Sequence, residues 1–208
     1  MYTYLSSFSV GNRARELRSL VRVPKAAVIA NALDHNEGGD LRRSFAQNEI
    51  AALQTLGFEA HELDLREYFD NPKELPRRLE TVGLVWATGG NVFLLRRAMK
   101  QSGLDRCVEE YRRRDDFVYG GFSAGACVAA PTLRGCELVD TLNVSVRGYG
   151  DEVVWDGLAL VPYSIVPHFE SDHPDAALVT AMIRHFVQNG MPYVTLRDGD
   201  AIVVSTGA

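Results

Sequence analysis

Cysteine is scarce and poorly spaced in this 208-residue chain: Cys107, Cys127 and Cys136 are odd in number and form no Cys-x-x-Cys unit. Neither a disulfide framework nor a zinc ribbon is indicated, and a reducing, cytoplasmic setting is expected. No stretch approaches the ~18 uninterrupted apolar residues of a membrane span. Met1 to Val10 lacks the basic flank and long apolar core of an export signal, so neither export nor a membrane partner is expected. Positive charge is not in excess, with 22 Lys and Arg against 27 Asp and Glu and a formal net charge of −5. Such a balance has no field to attract a phosphate backbone, which argues against a nucleic-acid partner. Internal repeats, linkers and low-complexity tracts are also missing, so residues 1–208 read as a single domain. What remains is the mix of a soluble globular chain, 46% hydrophobic and 24% charged. A chain of this size buries roughly 70% of the surface its unfolded form exposes, enough for a core without metal or disulfide staples.

Apolar runs of strand period alternate with amphipathic runs of helix period. Tyr2–Phe8, Ala26–Ala30, Phe58–Leu63, Gly83–Ala87 and Phe117–Gly120 read as strands. Between them, helices are expected over Asn12–Val21, Leu41–Leu56 closed by Gly57, Pro72–Glu80, Val92–Gln101 and Leu104–Arg113. This alternation predicts an α/β fold of three α/β/α layers around a mostly parallel sheet, with ligands at the carboxyl ends of the strands. Between Pro131 and Pro167 the pattern weakens into short β-like pieces at Glu152–Trp155 and Leu158–Val161, read as hairpins. A helix over Pro174–Gln188 follows, and Tyr193–Leu196 with Ala201–Val204 is expected to close as a hairpin around Asp198-Gly199, a strong turn dipeptide.

Gly121-Phe122-Ser123-Ala124-Gly125 matches G-x-S-x-G in the context that motif needs, a strand before it and a small-residue helix after it. A serine on such a turn projects its hydroxyl from the sheet, and the Ala124 amide at the helix start suits an oxyanion. Thr88-Gly89-Gly90-Asn91 repeats the strand-loop-helix arrangement one crossover earlier. Gly89 and Gly90 can present bare amides there, so this loop is the other half of the candidate oxyanion hole. His168 follows the apolar run Tyr163–Val166 at a loop mouth, where a general base for Ser123 belongs, with His173 in reserve. His61 and His185 fall on regular elements, His35 in a glycine-rich loop, and Cys127 reads as a small buried helix residue rather than a catalytic thiol.

Together, Thr-Gly-Gly-Asn-Val-Phe-Leu-Leu at 88–95, Gly-Phe-Ser-Ala-Gly-Ala at 121–126 and Val-Pro-His-Phe at 166–169 resemble the signature segments of the peptidase E (aspartyl dipeptidase) and cyanophycinase family of serine peptidases. Order and spacing agree, and the resemblance covers essentially the whole chain. It implies a class I glutamine amidotransferase-like (flavodoxin-like) fold with serine in place of cysteine at the elbow. It also implies cofactor-free hydrolysis of short peptides, N-terminal Asp-Xaa dipeptides among them, by a monomer or homodimer without a catalytic metal. Carried across, Ser123 is the nucleophile, His168 the base, and Gly90 and Ala124, with Gly89 beside them, the oxyanion amides. Leu196-Arg197-Asp198-Gly199 stands where peptidase E has a Leu-Pro-Glu-Gly-like turn, which makes Asp198 the triad acid, with Asp200 or Asp140 as alternatives. Asn91 and Glu170 are the expected substrate-binding residues.

Two departures stand out. The family's Thr-Arg-Glu stretch after the catalytic histidine is replaced by the acidic Glu170-Ser171-Asp172, which removes the cation an aspartyl substrate would pair with. The chain also ends at Ala208, soon after the last expected strand, where peptidase E continues. Three other readings compete. An α/β-hydrolase esterase would take its acid from Asp140, Asp151 or Asp156, in the order Ser, acid, His. A metal hydrolase would use His168, Glu170, Asp172 and His173. A binding protein on the same scaffold would keep Ser123 as a relic.

Overall fold

The computed structural model describes residues 1–36 and 39–205; the chain's end at Ala208 lies outside them. Strands form at Tyr2–Ser6 (β1), Lys25–Ile29 (β2), Glu59–Glu62 (β3), Leu84–Ala87 (β4), Val118–Phe122 (β5), Ser164–Val166 (β6), Tyr193–Thr195 (β7) and Ala201–Ser205 (β8). Helices span Ala14–Leu20 (α1), Asp40–Thr55 (α2), Leu75–Leu79 (α3), Val92–Ser102 (α4), Leu104–Tyr111 (α5), Ala124–Cys127 (α6) and Ala176–Gln188 (α7). The main sheet runs β3-β2-β4-β5-β1-β8, parallel throughout except β8, which pairs antiparallel with β1.

The layering follows from the strands' period of two. In β4, Leu84 and Trp86 enter one core with Leu17 of α1 and Leu53 of α2. Val85 and Ala87 enter the other with Phe93 of α4, Leu104 of α5 and Phe186 of α7. Every residue of β4 and β5 is buried, as central strands covered on both faces require. Gly57 closes α2 at φ +84°, in the left-handed cap conformation its position predicts. No described helix is long and apolar enough to cross a membrane.

Two expectations fail. The closing hairpin does not form: β7 pairs parallel with β6 in a separate two-stranded sheet, and β8 pairs with β1. The reason lies in the turn. Asp200 N donates to Arg197 O at 2.8 Å, and of the two central residues only Gly199 has positive φ, at +96°. That is the pattern of a type II turn, whereas the two-residue hairpin turn favoured by Asp-Gly needs positive φ at both positions. The turn therefore passes the chain from one sheet to the other, and β8 covers an edge of β1 that would otherwise be open. Glu152–Trp155 and Leu158–Val161 likewise form no strands; Thr132 and Asp156 make one isolated antiparallel bridge. Their backbone groups are met elsewhere: Leu158 N and Leu160 N donate to Val128 O and Ala129 O at 2.7 and 2.8 Å, Trp155 O accepts from Leu133 N at 2.7 Å, and the flanking carbonyls of Val144, Gly150 and Asp156 accept from Arg97 and Arg96 of α4. With loop backbone and guanidinium groups as partners, the segment stays irregular without leaving these groups unpaired.

Candidate active site

At the carboxyl end of β5 the chain reverses through Ser123, at φ +49° and ψ −116°, before α6 begins. For a residue with a side chain this is a strained conformation, held because its surroundings allow no other. The flanking glycines are the reason it is possible. A Cβ on Gly125 would lie 2.1 Å from Ala87 O, and one on Gly121 would lie 2.6 Å from Gly125 O, so only glycine lets α6 approach β4 and β5 this closely.

The loop after β4 comes to the same place. A Cβ on Gly89 would lie 3.1 Å from the Ser123 Cβ, and one on Gly90, at φ +131°, would lie 2.7 Å from Ala32 O. Among the described residues the Gly90 and Ala124 amides have no protein acceptor. Asn91 lines the cleft, but its side chain is committed to structure: Oδ1 accepts from Leu94 N at 2.8 Å as the cap of α4, and Nδ2 donates to Thr141 O at 2.8 Å.

His168 follows β6 in a left-handed conformation, φ +58°, and only 3% of it is exposed. Its Nε2 lies 3.1 Å from Ser123 Oγ and its Nδ1 lies 2.7 Å from Asp198 Oδ1. Asp198 sits in the turn between the two sheets, where its amide donates to Ser171 Oγ at 2.8 Å. Asp200, two residues on, accepts instead from Arg197 N at 3.0 Å and from Asn12 Nδ2 at 3.4 Å, and Asp140 accepts from Val92 N at 2.7 Å. Glu170 pairs with Arg197 and lies in a hollow with Phe8, Asp172 and His173, away from the lining of the cleft around Ser123.

Sequence reasoning missed Ser7. Its hydroxyl donates to Asp198 Oδ1 at 2.7 Å and accepts from His168 N at 2.8 Å, so one side chain at the end of β1 fixes both the backbone and the carboxylate partner of the imidazole. No local signal marks it beyond its place at the carboxyl end of a central strand.

His173 stacks on His168, ring centroids 3.7 Å apart and planes within 11°, and its Nδ1 accepts from Asp175 N at 3.2 Å. Among the described residues no cluster of His, Cys, Asp or Glu is arranged to hold a metal ion. Burial pushes the His168 pKa below its ordinary value; the Asp198 hydrogen bond opposes this and the neighbouring His173 adds to it.

Two hollows meet at Ser123. A small recess of about 40 Å³ is lined by Gly90, Val92, Ala124, Cys127, Asp140 and Met182 among others. A wider cleft of about 490 Å³ runs past Phe8, His35, Phe122 and His173.

Residues 11–208 match Peptidase family S51. An uncharacterized peptidase of Listeria monocytogenes is 29% identical over 154 residues, 74% of this chain and 67% of that protein. Peptidase E of Salmonella typhi is 31% identical over 134 residues, 62% of this chain and 55% of its own length, so the match spans little more than half of that relative. A crystal structure of a protein assigned as peptidase E from Listeria monocytogenes superposes with a TM-score of 0.77 at 21% identity, covering 100% of this chain and 95% of the other. A peptidase from an acI-B1 actinobacterium gives 0.67 at 18% identity, over 98% of this chain and 82% of its own. With nearly its whole length matched, the chain belongs to peptidase family S51, a family of serine-type peptidases.

Proposed function

We propose that this protein is a serine peptidase that hydrolyses short peptides through Ser123, His168 and Asp198. The observation that carries this reading is the continuous chain of contacts from Ser123 Oγ through both nitrogens of His168 to Asp198, beside two glycine-bearing loops. Neutral His168 takes the Ser123 proton at Nε2 as Oγ attacks the peptide carbonyl, and the Gly90 and Ala124 amides hold the oxyanion. The imidazolium then gives that proton to the departing amine as the C–N bond breaks. Water attacks the acyl-serine, with His168 again taking the proton and returning it to Ser123. Asp198 holds the tautomer with Nδ1–H and stabilises the imidazolium. The cleft is of a size that encloses a dipeptide rather than a folded protein.

Labelling tests the nucleophile. A fluorophosphonate probe is expected to modify the native protein and not Ser123→Ala; equal labelling of both would sink the assignment.

The environment of His168 sets the acid limb. A base must be neutral to accept a proton, so a lowered pKa keeps the enzyme active to lower pH than an ordinary histidine would. His173→Ala removes a neighbour whose charge lowers that pKa and also opens the ring to water, and both changes act upward. The acid limb of kcat/KM is therefore expected to move to higher pH in His173→Ala, and an unmoved or downward limb would contradict the role given to the stacked ring.

A further inference from the structure

We infer that the recess beside Ser123 receives the side chain of the substrate's N-terminal residue and admits only small uncharged groups, so that peptides beginning with Gly, Ala or Ser are substrates and those beginning with Asp are not. The inference rests on the peptidase reading and names its substrate class. Position comes first. Ser123, Ala124, Gly90 and His168 all line the recess, so a group seated in it is attached within a bond or two of the carbonyl under attack. The wider cleft, walled by Phe8, Phe122 and His173, is left for the departing residue.

Size comes second. A water molecule needs roughly 10–15 Å³ of such space, and the recess offers about 40 Å³, closed by Val92, Val139, Val179 and Met182. That holds a few heavy atoms and excludes an aromatic ring or a long basic side chain.

Charge decides among the small side chains, because aspartate would fit by volume. Among the described residues lining the recess and the cleft there is no lysine or arginine, while Asp140 and Asp175 line both. Asp140 is fixed there by the bond from Val92 N in poorly solvated surroundings, where burial raises its pKa to about 6 and the nearby Asp175 adds to the rise. A substrate carboxylate would meet a like charge with no cation to offset it, the arrangement by which binding sites reject a wrong partner. A hydrogen, methyl or hydroxymethyl group brings no charge against these carboxylates, and a hydroxyl can donate to one of them.

The test is a panel of dipeptides sharing one leaving residue and starting with Gly, Ala, Ser, Asp, Lys or Phe, assayed with the intact chain near neutral pH. Ala and Ser peptides are expected to exceed the Asp and Phe peptides at least about 100-fold in kcat/KM. Asp140→Asn should shrink the Ala-to-Asp ratio at least tenfold. Met182→Ala, which leaves every charge in place, should raise activity on larger uncharged residues relative to Ala even if the Asp140 variant does not fold. An Asp-first preference in the native enzyme, an unchanged ranking in Met182→Ala, or fluorophosphonate-labelled enzyme that cleaves no member of the panel would overturn the inference and leave the nucleophile standing. Enzyme that is neither labelled at Ser123 nor active would instead remove the peptidase reading beneath it.

Discussion

Asp198→Asn is expected to lower kcat by up to about 10⁴-fold while the folded structure persists. The carboxylate accepts from His168 Nδ1 at 2.7 Å, which places the only free lone pair of the ring on Nε2, 3.1 Å from Ser123 Oγ. An asparagine amide can donate to Nδ1 instead, which would put the proton on Nε2 and leave no base facing the serine. It would also remove the charge that balances the imidazolium formed during attack. Ser7→Ala should cost less, because it removes one hydrogen bond to the carboxylate and leaves the charge in place. Steady-state kinetics alongside circular dichroism checks the ranking. Turnover that survives Asp198→Asn but collapses in Asp140→Asn would assign the acid to the other side of His168 in the chain.

Asp34→Ala should destabilise the fold by about 3 kcal/mol, the lower end of the range for breaking a buried ion pair. In a chain of this length that is a fall in Tm of roughly 6–12 °C. The Asp34 carboxylate is 0% exposed and faces Arg42, itself 8% exposed, at 2.5 Å. It also accepts from Asn31 Nδ2 at 2.7 Å and from the Tyr149 hydroxyl. Glu62 and Asp64 remain near the guanidinium in the variant, which is why the lower end applies. By contrast, Asp40→Ala breaks a pair whose members are 59% and 87% exposed, and should leave Tm nearly unchanged. A catalytic loss should accompany the Asp34 variant. The 3-10 turn at Asn31–Leu33 that this network anchors receives Asn91 N on Ala32 O at 2.9 Å and abuts Gly90, so loosening it slackens one wall of the oxyanion site. Thermal unfolding and kcat measured on one preparation test both halves.

The sheet and its helices were legible because their signals are local: the short unbroken apolar run Leu84–Ala87, the glycine after α2, and the strand-turn-helix context of Ser123. Family membership was legible because separated short segments carried it together. Ser7 was not, because its two bonds join residues 161 and 191 positions apart, and nothing near it in sequence distinguishes it from other serines. The Asp198-Gly199 turn misled for a related reason. Its dipeptide specifies a reversal, but which strand receives the next segment is decided by the open edge of β1 at the far end of the chain. The middle segment misled because its backbone partners are the chain just after α6 and, around it, buried arginines of α4, rather than a neighbouring strand.

The type II turn that hands the chain from β7 to β8 also bears on the order in which the molecule assembles. Asp198 lies at the joint of the two sheets, and its partner Ser7 lies 191 residues away, so closing that loop is among the most entropically demanding steps of folding. Ser123 and its oxyanion loops need only β4, β5 and their neighbours, which pair over shorter separations. During refolding from denaturant, helix and sheet signals should therefore recover before hydrolysis does, and simultaneous recovery would mean that β8 docks with the first strands. On this topology a folding intermediate can hold a formed serine elbow and still be catalytically silent, armed only when the last strand seats.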